Sequence, residues 1–468
     1  MMLTRIAFRN IFRNTRRSLA TMMTIAIGTA AMVLFGAFTL YTTYSLETST
    51  VERSGHLTIY RNGFFNFGAG NAAAWGIPDY GRVIALVTSD PVLKPMTVVV
   101  TPTQAVSGIA GSSANDTSKT FFGVGFVPSD RDRMKTWNPY GIELTGLARS
   151  GLSDDDSRRG ILGEGIVRIL GLCKQLRRSN CPPRRDTPTD PARSAELSRL
   201  PSRDFSGLSD GSATGPAAQA GEPRLDLLGA TVNGAPNVVS LLVHRVEYQG
   251  VKELDENYIG MHLGLAQKLV YGRSTPLATA IVVQLRRTQD IGAARQRLRQ
   301  ILAQRHLDLE VRDFAELNPF YVQARNLFRS IFSFISMIIG VVVLFTIANA
   351  MSMSVVERTD EIGTTRALGL RRAGIRRLFL LEGVMIGMFG ATAGLIFGTL
   401  CGMAVNAAGL TWTPPGGVNP VPLRVYLNGG WSGAAMIWIL LTAVATLAAW
   451  APAARAARLS VADALRHV

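Results

Sequence analysis

This chain contains residue types that perform catalysis or bind metals, but none of them combines the spacing and the sequence context of a catalytic or metal-binding pattern. Residues 207–211 have the Gly-x-Ser-x-Gly form of a hydrolase nucleophile turn, which needs a strand before it and a helix after it. They lie instead in a segment rich in Pro, Ser, Arg, Asp and Gly. The five histidines (His56, His244, His262, His306 and His467) lack metal-ligand spacing. No phosphate-binding Gly-x-x-x-x-Gly-Lys-[Ser/Thr] sequence occurs. The sequence therefore predicts no catalytic residue, no metal site and no cofactor on this chain.

The densest cluster of functional groups is a short charged segment, residues 355–372. It is too short for a domain and too highly charged for a passive connector. Apolar and small residues in and after it are predicted to form one side of an amphipathic helix, with arginines on the other side. Such a helix either docks in a partner's groove or lies on a membrane surface. The residues of the predicted apolar side are Ile362, Thr365, Ala367, Leu368 and Ile375.

Four long apolar runs must position that segment. They cover residues 19–40, 331–350, 379–400 and 433–450, and each is long enough to cross a bilayer core as a helix. About 280 residues separate the first run from the second, enough for a domain of its own. The predicted fold class is a polytopic α-helical membrane protein with four transmembrane helices, one before and three after a large α+β domain. The predicted bounds are 1–44 for the N-terminal helix and first span, 45–325 for the large domain, and 326–468 for the remainder.

The net charge of +16 is concentrated beside the apolar runs. Residues 45–325 carry 33 Lys and Arg against 28 Asp and Glu, whereas the loop at about 405–430 has one arginine, Arg424. Because cytoplasmic flanks are rich in Lys and Arg, both termini and the 354–377 loop are predicted to be cytoplasmic and the large domain external. This distribution argues against nucleic-acid binding. The basic flanks are Arg5, Arg9, Arg13, Arg16 and Arg17; Arg358, Arg366, Arg371, Arg372, Arg376 and Arg377; and Arg455, Arg458 and Arg466.

The third apolar run carries a series of glycines that favours close packing against another helix backbone. Whether that neighbour belongs to the same chain or to a second one is left open. Glu382 lies near the start of the same run, as either a functional group or a partner of Arg376 or Arg377. The glycines are Gly383, Gly387, Gly390, Gly394, Gly398 and Gly402.

Within the large domain, alternating or apolar segments predict strands at 54–60, 97–101, 121–127, 238–246 and 280–285. Helical spacing predicts helices at 161–176 and 291–304, and 64–74 is predicted to be a loop. Residues 179–223 have few large apolar side chains and are interpreted as a disordered insertion. Cys173 and Cys181 lie close enough in sequence to form a disulfide in an oxidising compartment, although two free thiols are the equal alternative. Cys401 is assigned to packing.

The charged segment, continued through residues 377–384, resembles the signature of FtsX/MacB-type permeases of ABC transporters. Three further stretches resemble the same family: residues 5–10 with Arg13 and Arg17, residues 55–60, and residues 452–466. Residues 160–165 and 253–258 are similar to parts of the family's periplasmic domain. The insertion at 179–223 departs from the family, as does the lack of a fused ATPase domain, so the layout looks closest to lipoprotein-releasing (Lol-type) permeases.

This resemblance implies a non-catalytic inner-membrane subunit that works as a dimer with a homologous or identical permease. A cytoplasmic ABC ATPase would bind ATP and Mg²⁺, and its closure would move the periplasmic domains to release lipoprotein or another lipid or amphiphilic cargo, with or without a periplasmic adaptor or chaperone. The alternative is an FtsX-like regulator that activates a periplasmic enzyme. The resemblance assigns ATPase coupling to Glu357, Arg358, Thr359, Glu361, Ile362, Gly363, Thr364, Arg366, Ala367, Leu368 and Gly369.

Overall fold

The computed structural model describes residues 2–13, 15–68, 70–142, 149–177, 222–413, 420–427 and 431–459. Cys181, the 207–211 sequence, His467 and residues 179–221 of the predicted insertion lie outside this described part. The helices are α1 Met2–Arg13, α2 Thr15–Ser54, α3 Tyr80–Ser89, α4 Pro128–Met134, α5 Glu164–Ile169, α6 Lys252–Asp255, α7 Leu263–Tyr271, α8 Ile291–Gln304, α9 Phe314–Leu317, α10 Pro319–Glu357, α11 Thr359–Ala367, α12 Arg372–Ala407 and α13 Trp431–Arg458. The strands are β1 Leu57–Arg61, β2 Thr97–Ser112, β3 Thr117–Phe126, β4 Arg159–Leu162, β5 Arg224–Ala230, β6 Pro236–Val246, β7 Tyr258–His262, β8 Ala280–Leu285, β9 Leu309–Asp313, β10 Thr411–Trp412 and β11 Val421–Pro422.

The chain divides into two compact units. The first contains Met1–Tyr44, Val322–Trp412 and Pro422–Val468, and the second contains Ser45–Tyr321 and Thr413–Val421. We call them the helical unit and the sheet unit.

In the described part of the helical unit, four helices are long and apolar enough to cross a membrane: α2, α10, α12 and α13. All four extend beyond the apolar runs that predict them. The 40 residues of α2 span about 60 Å at 1.5 Å per residue, roughly twice the hydrocarbon core of a bilayer. Only 11% of the apolar stretch of α10 is buried. Most of that surface is therefore available to lipid or to another protein.

The described strands of the sheet unit form a nine-stranded sheet in the order β3-β7-β4-β6-β5-β2-β8-β1-β9. The pairs β3–β7 and β4–β6 are parallel, and the other pairs with a recorded register are antiparallel. One apolar core lies where α5 and α7 pack on the sheet, and another where α3 and α8 pack near β1, β8 and β9. This mixture of sheet and helix gives the unit its α+β character.

Two local predictions for the sheet unit are wrong. The apolar segment from Ile161 begins as strand β4, and a six-residue helix, α5, starts only at Glu164. Gly163 separates the two elements because it packs against the backbone of Asp255, where a side chain would not fit. The predicted loop at 64–74 contains a π-helical turn, Phe64–Gly68, in which the Phe64 ring stacks on Tyr60.

Candidate functional site

A network of ion pairs connects three elements of the helical unit around the buried carboxylate of Glu382 on α12. Arg358, between α10 and α11, donates from Nη1 to Glu382 Oε1 at 3.0 Å, and Asn10 on α1 donates from Nδ2 to the same oxygen at 2.6 Å. The guanidinium of Arg358 also lies over the Phe379 ring, 5.7 Å from its centroid. The sequence suggested Arg376 or Arg377 as the partner of Glu382, but the structure pairs it with Arg358 instead.

The same network ties the N-terminal helices to α10 and α11. Arg358 Nε donates to Glu361 Oε2 at 3.1 Å, and Arg13 of α1 forms a second ion pair with Glu361. Arg17 of α2 donates from Nη1 to Glu357 Oε2 at 2.7 Å. These side chains line a cavity of about 210 Å³. These ion pairs join the ends of α1, α2, α10 and α11 next to the apolar cluster that contains Val355 and Ile362.

Charge is retained on the two members of the network that lie outside the apolar helices. Burial alone would lower the pKa of Arg358, but Glu382 and Glu361 hold that pKa above its usual value. Partial burial would raise the pKa of Glu361, yet its hydrogen bonds and ion pairs with Arg358 and Arg13 leave that pKa below its usual value. Removing one member of a buried ion pair typically costs about 3–5 kcal/mol, because the other charge remains without a partner.

The structure divides the predicted coupling residues between the interior and the surface. Glu357, Arg358 and Glu361 belong to the ion-pair network. Ile362 and Gly363 are buried, with Ile362 in the core of the helical unit. Of the remaining predicted residues, Thr359 and Arg366 are partly buried, and Thr364, Ala367, Leu368 and Gly369 are exposed.

The predicted apolar side of this helix does not exist as one surface. Ile362 packs inward, whereas Leu368 is 89% exposed. Helix α11 ends at Ala367, and Gly369 adopts a φ of +97°, a left-handed conformation that favours glycine and turns the chain towards α12. Arg366 donates to the backbone carbonyl of Leu459, which holds this end of α11 against the segment after α13.

What remains outside is a single exposed face. We call it the α11 face and define it by Asp360, Thr364, Ala367, Leu368 and Arg371, all of which are exposed. Asp360, Thr364 and Ala367 are four and three residues apart, along one side of α11. Leu368 directly follows the helix, and Arg371 lies beyond the turn at Gly369, just before α12. The face combines a projecting leucine with one acidic and one basic residue.

The glycines of α12 contact helices of the same chain. A Cβ atom on Gly387 would lie 2.6 Å from Ala445 Cβ of α13, and Gly383 faces the next turn of α13 at Ala449. Further along the helix, a Cβ on Gly390 would lie 2.8 Å from Ile25 Cβ of α2. Gly394 and Gly398 continue this contact against Ala26 and Ala30 of α2, respectively. A Cβ on Gly402 would meet Leu427 first, at 3.2 Å, and Leu34 of α2 at 3.6 Å. The series therefore lets α12 approach two neighbours, first α13 and then α2.

In the sheet unit, the last turns of α2 are held by buried polar side chains that the sequence analysis did not single out. Glu47 accepts hydrogen bonds from Tyr140 Oη at 2.7 Å, Thr288 Oγ1 at 2.5 Å and Tyr321 Oη at 3.4 Å. Tyr321 belongs to the first turn of α10, so this one carboxylate links the end of α2 to the start of α10. The signal in the sequence was an acidic residue continuing the helix beyond its apolar run.

Just after α2 ends at Ser54, the chain enters the sheet through β1. His56 Nδ1 accepts a hydrogen bond from the backbone N–H of Leu285 at 3.0 Å, and its ring meets Trp137 edge to face. Arg53 donates to the carbonyl of Gln249 at 2.5 Å. Burial lowers the pKa of His56 to about 3, so the imidazole is neutral. These contacts fix the helix end to the sheet.

Within the described residues, no three His, Cys, Asp or Glu side chains form a group that could hold a metal ion. Cys173 is partly buried against the larger core of the sheet unit. Its predicted partner, Cys181, lies outside the described residues, so the disulfide stays a prediction.

The match to a known protein family lies mainly in the helical unit. Residues 331–461 match the family described as FtsX-like permease C-terminal. The chain is 31% identical over 166 residues to the lipoprotein-releasing system transmembrane protein LolC of Neisseria meningitidis, covering 34% of this chain and 39% of LolC. It is 26% identical over 186 residues to the macrolide export ATP-binding/permease protein MacB of Escherichia coli, covering 39% of this chain and 27% of MacB. The chain thus spans well under half the length of these relatives.

Among solved structures, the periplasmic region of MacB from Actinobacillus actinomycetemcomitans aligns with 58% of this chain and 94% of its own, with a TM-score of 0.32 and 13% identity.

Proposed function

From the premise that residues 331–461 are an FtsX-like permease domain homologous to those of LolC and MacB, we propose that this chain is the membrane subunit of an ABC transporter. A cytoplasmic ATPase subunit would bind ATP and Mg²⁺, a proposal supported by the name of the MacB relative, an ATP-binding/permease protein. The chain would transmit the movement of that ATPase through the membrane and would itself catalyse no reaction.

The α11 face is the observation that carries this proposal. The charged residues around it are occupied by partners within the chain, whereas Leu368 projects into solvent with 89% of its surface exposed. A single exposed leucine is ordinary on a protein surface. What distinguishes Leu368 is its position directly after a short helix whose Ile362 is buried in the core of the helical unit. A short helix that presents one apolar side chain between an acid and a base fits a shallow groove on a partner. We assign that groove to the ATPase.

Helix α2 would transmit the movement of the ATPase along its length. It runs without interruption from Thr15 to Ser54, with Arg17 in its first turn bound to Glu357 and Glu47 near its end bound to Tyr321. Each of these ion pairs or hydrogen bonds joins α2 to α10. Displacement of α11 would therefore act on both helices at once.

For orientation, we propose that both termini and α11 are cytoplasmic and that the sheet unit is periplasmic, in a bacterial inner membrane. The arginine distribution supports this placement. A membrane-impermeant maleimide applied to intact inner membranes should label a cysteine placed at Ser274, which is exposed in the sheet unit, and should not label one placed at Thr364. The reverse pattern would contradict the proposed orientation.

For cargo, we propose lipoproteins first and other lipids or amphiphiles second, handled by a dimer of this chain with itself or with a homologous permease. The name of the Neisseria relative specifies lipoprotein release and that of the Escherichia relative specifies macrolide export. A periplasmic adaptor or chaperone would receive the released molecule.

The experiment that tests ATPase coupling is co-purification of Leu368→Ser with the ATPase subunit that accompanies the wild-type chain. The matched control is Leu410→Ser, since Leu410 is also exposed, just after α12. We expect Leu368→Ser to lose the ATPase or its stimulated hydrolysis while the control keeps both. Normal complex formation and transport in Leu368→Ser would show that the α11 face is not the coupling surface.

A further inference from the structure

The helical unit contains an apolar cavity of about 400 Å³ that the proposed coupling route does not use. It lies between α2, α10, α12 and α13, and its wall is formed mainly by Val33, Ala37, Leu40, Phe332, Ala434 and Ile437. Gly36 forms part of the floor, where a Cβ would lie 3.2 Å from the ring of Phe332. Within a bilayer, hydrocarbon is the material available to fill this cavity.

Two arginines stand at one end of this cavity. Arg325 and Arg329 are one helical turn apart on α10, both line the cavity, and both are exposed. The apolar run of α10 begins two residues after Arg329, at Ile331. This position places the guanidinium groups at the level of lipid headgroups, where arginine side chains extend towards the membrane surface. Phe332 lies one turn deeper, at the level of the first acyl carbons.

The charged side chains that line this end of the cavity, Arg325 and Arg329, are both positive. None of the described residues lining the cavity is an aspartate or glutamate. Tyr426 lines the same cavity, and its ring packs edge to face with Tyr44 at 5.4 Å. Tyrosine is typical of the boundary between hydrocarbon and headgroups. The cavity therefore offers a positive polar end and an apolar body, in the order in which a phospholipid presents its phosphate and acyl chains.

We propose that this cavity binds one anionic phospholipid of the surrounding bilayer. Its headgroup phosphate would contact Arg325 and Arg329, and one acyl chain would lie along Ala37 and Phe332. The proposal rests on the proposed function only in that the chain spans a membrane. A second copy of the same surface is a poorer occupant. A two-fold contact centred here would bring the arginine pairs of both copies together, and opposed like charges are unfavourable.

The test uses the full chain, purified in mild detergent and examined by native mass spectrometry after exposure to phosphatidylglycerol or phosphatidylcholine. The double variant Arg325→Gln/Arg329→Gln removes the positive end. Its matched control is Arg376→Gln/Arg377→Gln, another exposed arginine pair at the end of an apolar helix. We expect the wild type and the control to retain phosphatidylglycerol preferentially. The cavity variant should lose that preference by about fivefold for each arginine.

A second variant, Ala434→Trp, fills the apolar part of the cavity and should abolish retention of the tightly bound lipid. Its thermal unfolding in phosphatidylcholine shows whether the fold survives, and if it does not, the arginine variants decide the question alone. Equal phosphatidylglycerol retention by the arginine variant and its control would overturn the proposal. So would a retained mass that corresponds to a lipid-modified protein, since the cavity would then hold cargo. No ATPase is present, so the outcome is independent of the coupling proposal.

Discussion

The guanidinium of Arg358 lies 3.0 Å from the carboxylate of Glu382, in an environment where the carboxylate is almost completely buried. Arg358 directly precedes α11, and Glu382 belongs to α12, directly before Gly383, the first of the glycines that contact α13. This ion pair therefore connects the start of the proposed coupling helix to the helix that packs against two others. A displacement of α11 has to move α12 or break the pair.

The first prediction follows from that geometry. Arg358→Gln should lower the free energy of unfolding of the helical unit by about 3–5 kcal/mol, because Glu382 remains buried without its cationic partner. Thermal unfolding in detergent measures the loss. Arg376→Gln, a substitution at an exposed arginine of α12, should have little effect. If the two variants unfold at the same temperature, the ion pair does not stabilise this unit.

The second prediction concerns helix packing. Gly394→Leu should prevent α12 from approaching α2, since a Cβ at Gly394 would already meet the Ala26 backbone and Thr29. The matched control is Gly340→Leu on α10, where no atom lies within 4 Å of the added Cβ. We expect poor folding or a large fall in thermal stability for Gly394→Leu alone. Equal tolerance of both substitutions would contradict the α12–α2 contact.

Periodicity predicted the regular elements well. The helix predicted at 291–304 is α8 with the same ends, and the strand at 280–285 is β8. These elements follow from local patterns, in which buried and exposed positions alternate at a fixed spacing. The same reasoning placed a helix at Ile161, where the buried run is a short central strand. Buried strands and buried helices have similar apolar sequences.

Sequence periodicity could not predict the ion-pair network. Asn10 and Glu382 are 372 residues apart, and nothing in the spacing of either identifies the other. The sequence predicted a functional role for residues 357–369, and it predicted that their charged side chains contact a partner protein. Folding uses four of those charged side chains internally, Glu357, Arg358, Glu361 and Arg366, which leaves the smaller α11 face for any partner. Ion pairs between residues far apart in the sequence depend on how the helices pack against one another. The periodicity of a single sequence does not indicate that packing.

The third prediction concerns the link between α2 and α10 in the sheet unit. Tyr321→Phe removes the hydroxyl that donates to Glu47 and leaves the packing of the ring against Phe314 intact. We expect ATP hydrolysis by the assembled transporter to continue while cargo release falls severalfold, because the two helices are no longer joined at this end. Tyr248→Phe, at a hydroxyl that donates to the backbone carbonyl of Gly250 two residues away, is the control. Unchanged release in Tyr321→Phe would show that this hydrogen bond carries no movement.

The last prediction is a pH dependence that originates at His56. Burial lowers the pKa of this imidazole to about 3, against a usual value of 6.5. Between those values the unfolded chain binds a proton that the folded chain excludes, so stability rises with pH across this window. The contribution is complete above about pH 6.5. It is lost by about 1.4 kcal/mol per pH unit as the pH falls towards 3. Protonation would also remove the Nδ1 acceptor used by the Leu285 N–H.

Thermal unfolding of the full chain between pH 4 and 8 separates this effect from that of the carboxylates. His56→Gln should flatten the acid limb of the profile relative to the wild type, because glutamine has no proton to gain. His306→Gln is the matched control, since His306 is exposed on the surface of the sheet unit. That variant should follow the wild-type curve. If His56→Gln and the wild type lose stability in parallel below pH 6, then His56 is protonated in the folded chain, and its burial between Trp137 and the sheet does not control acid sensitivity.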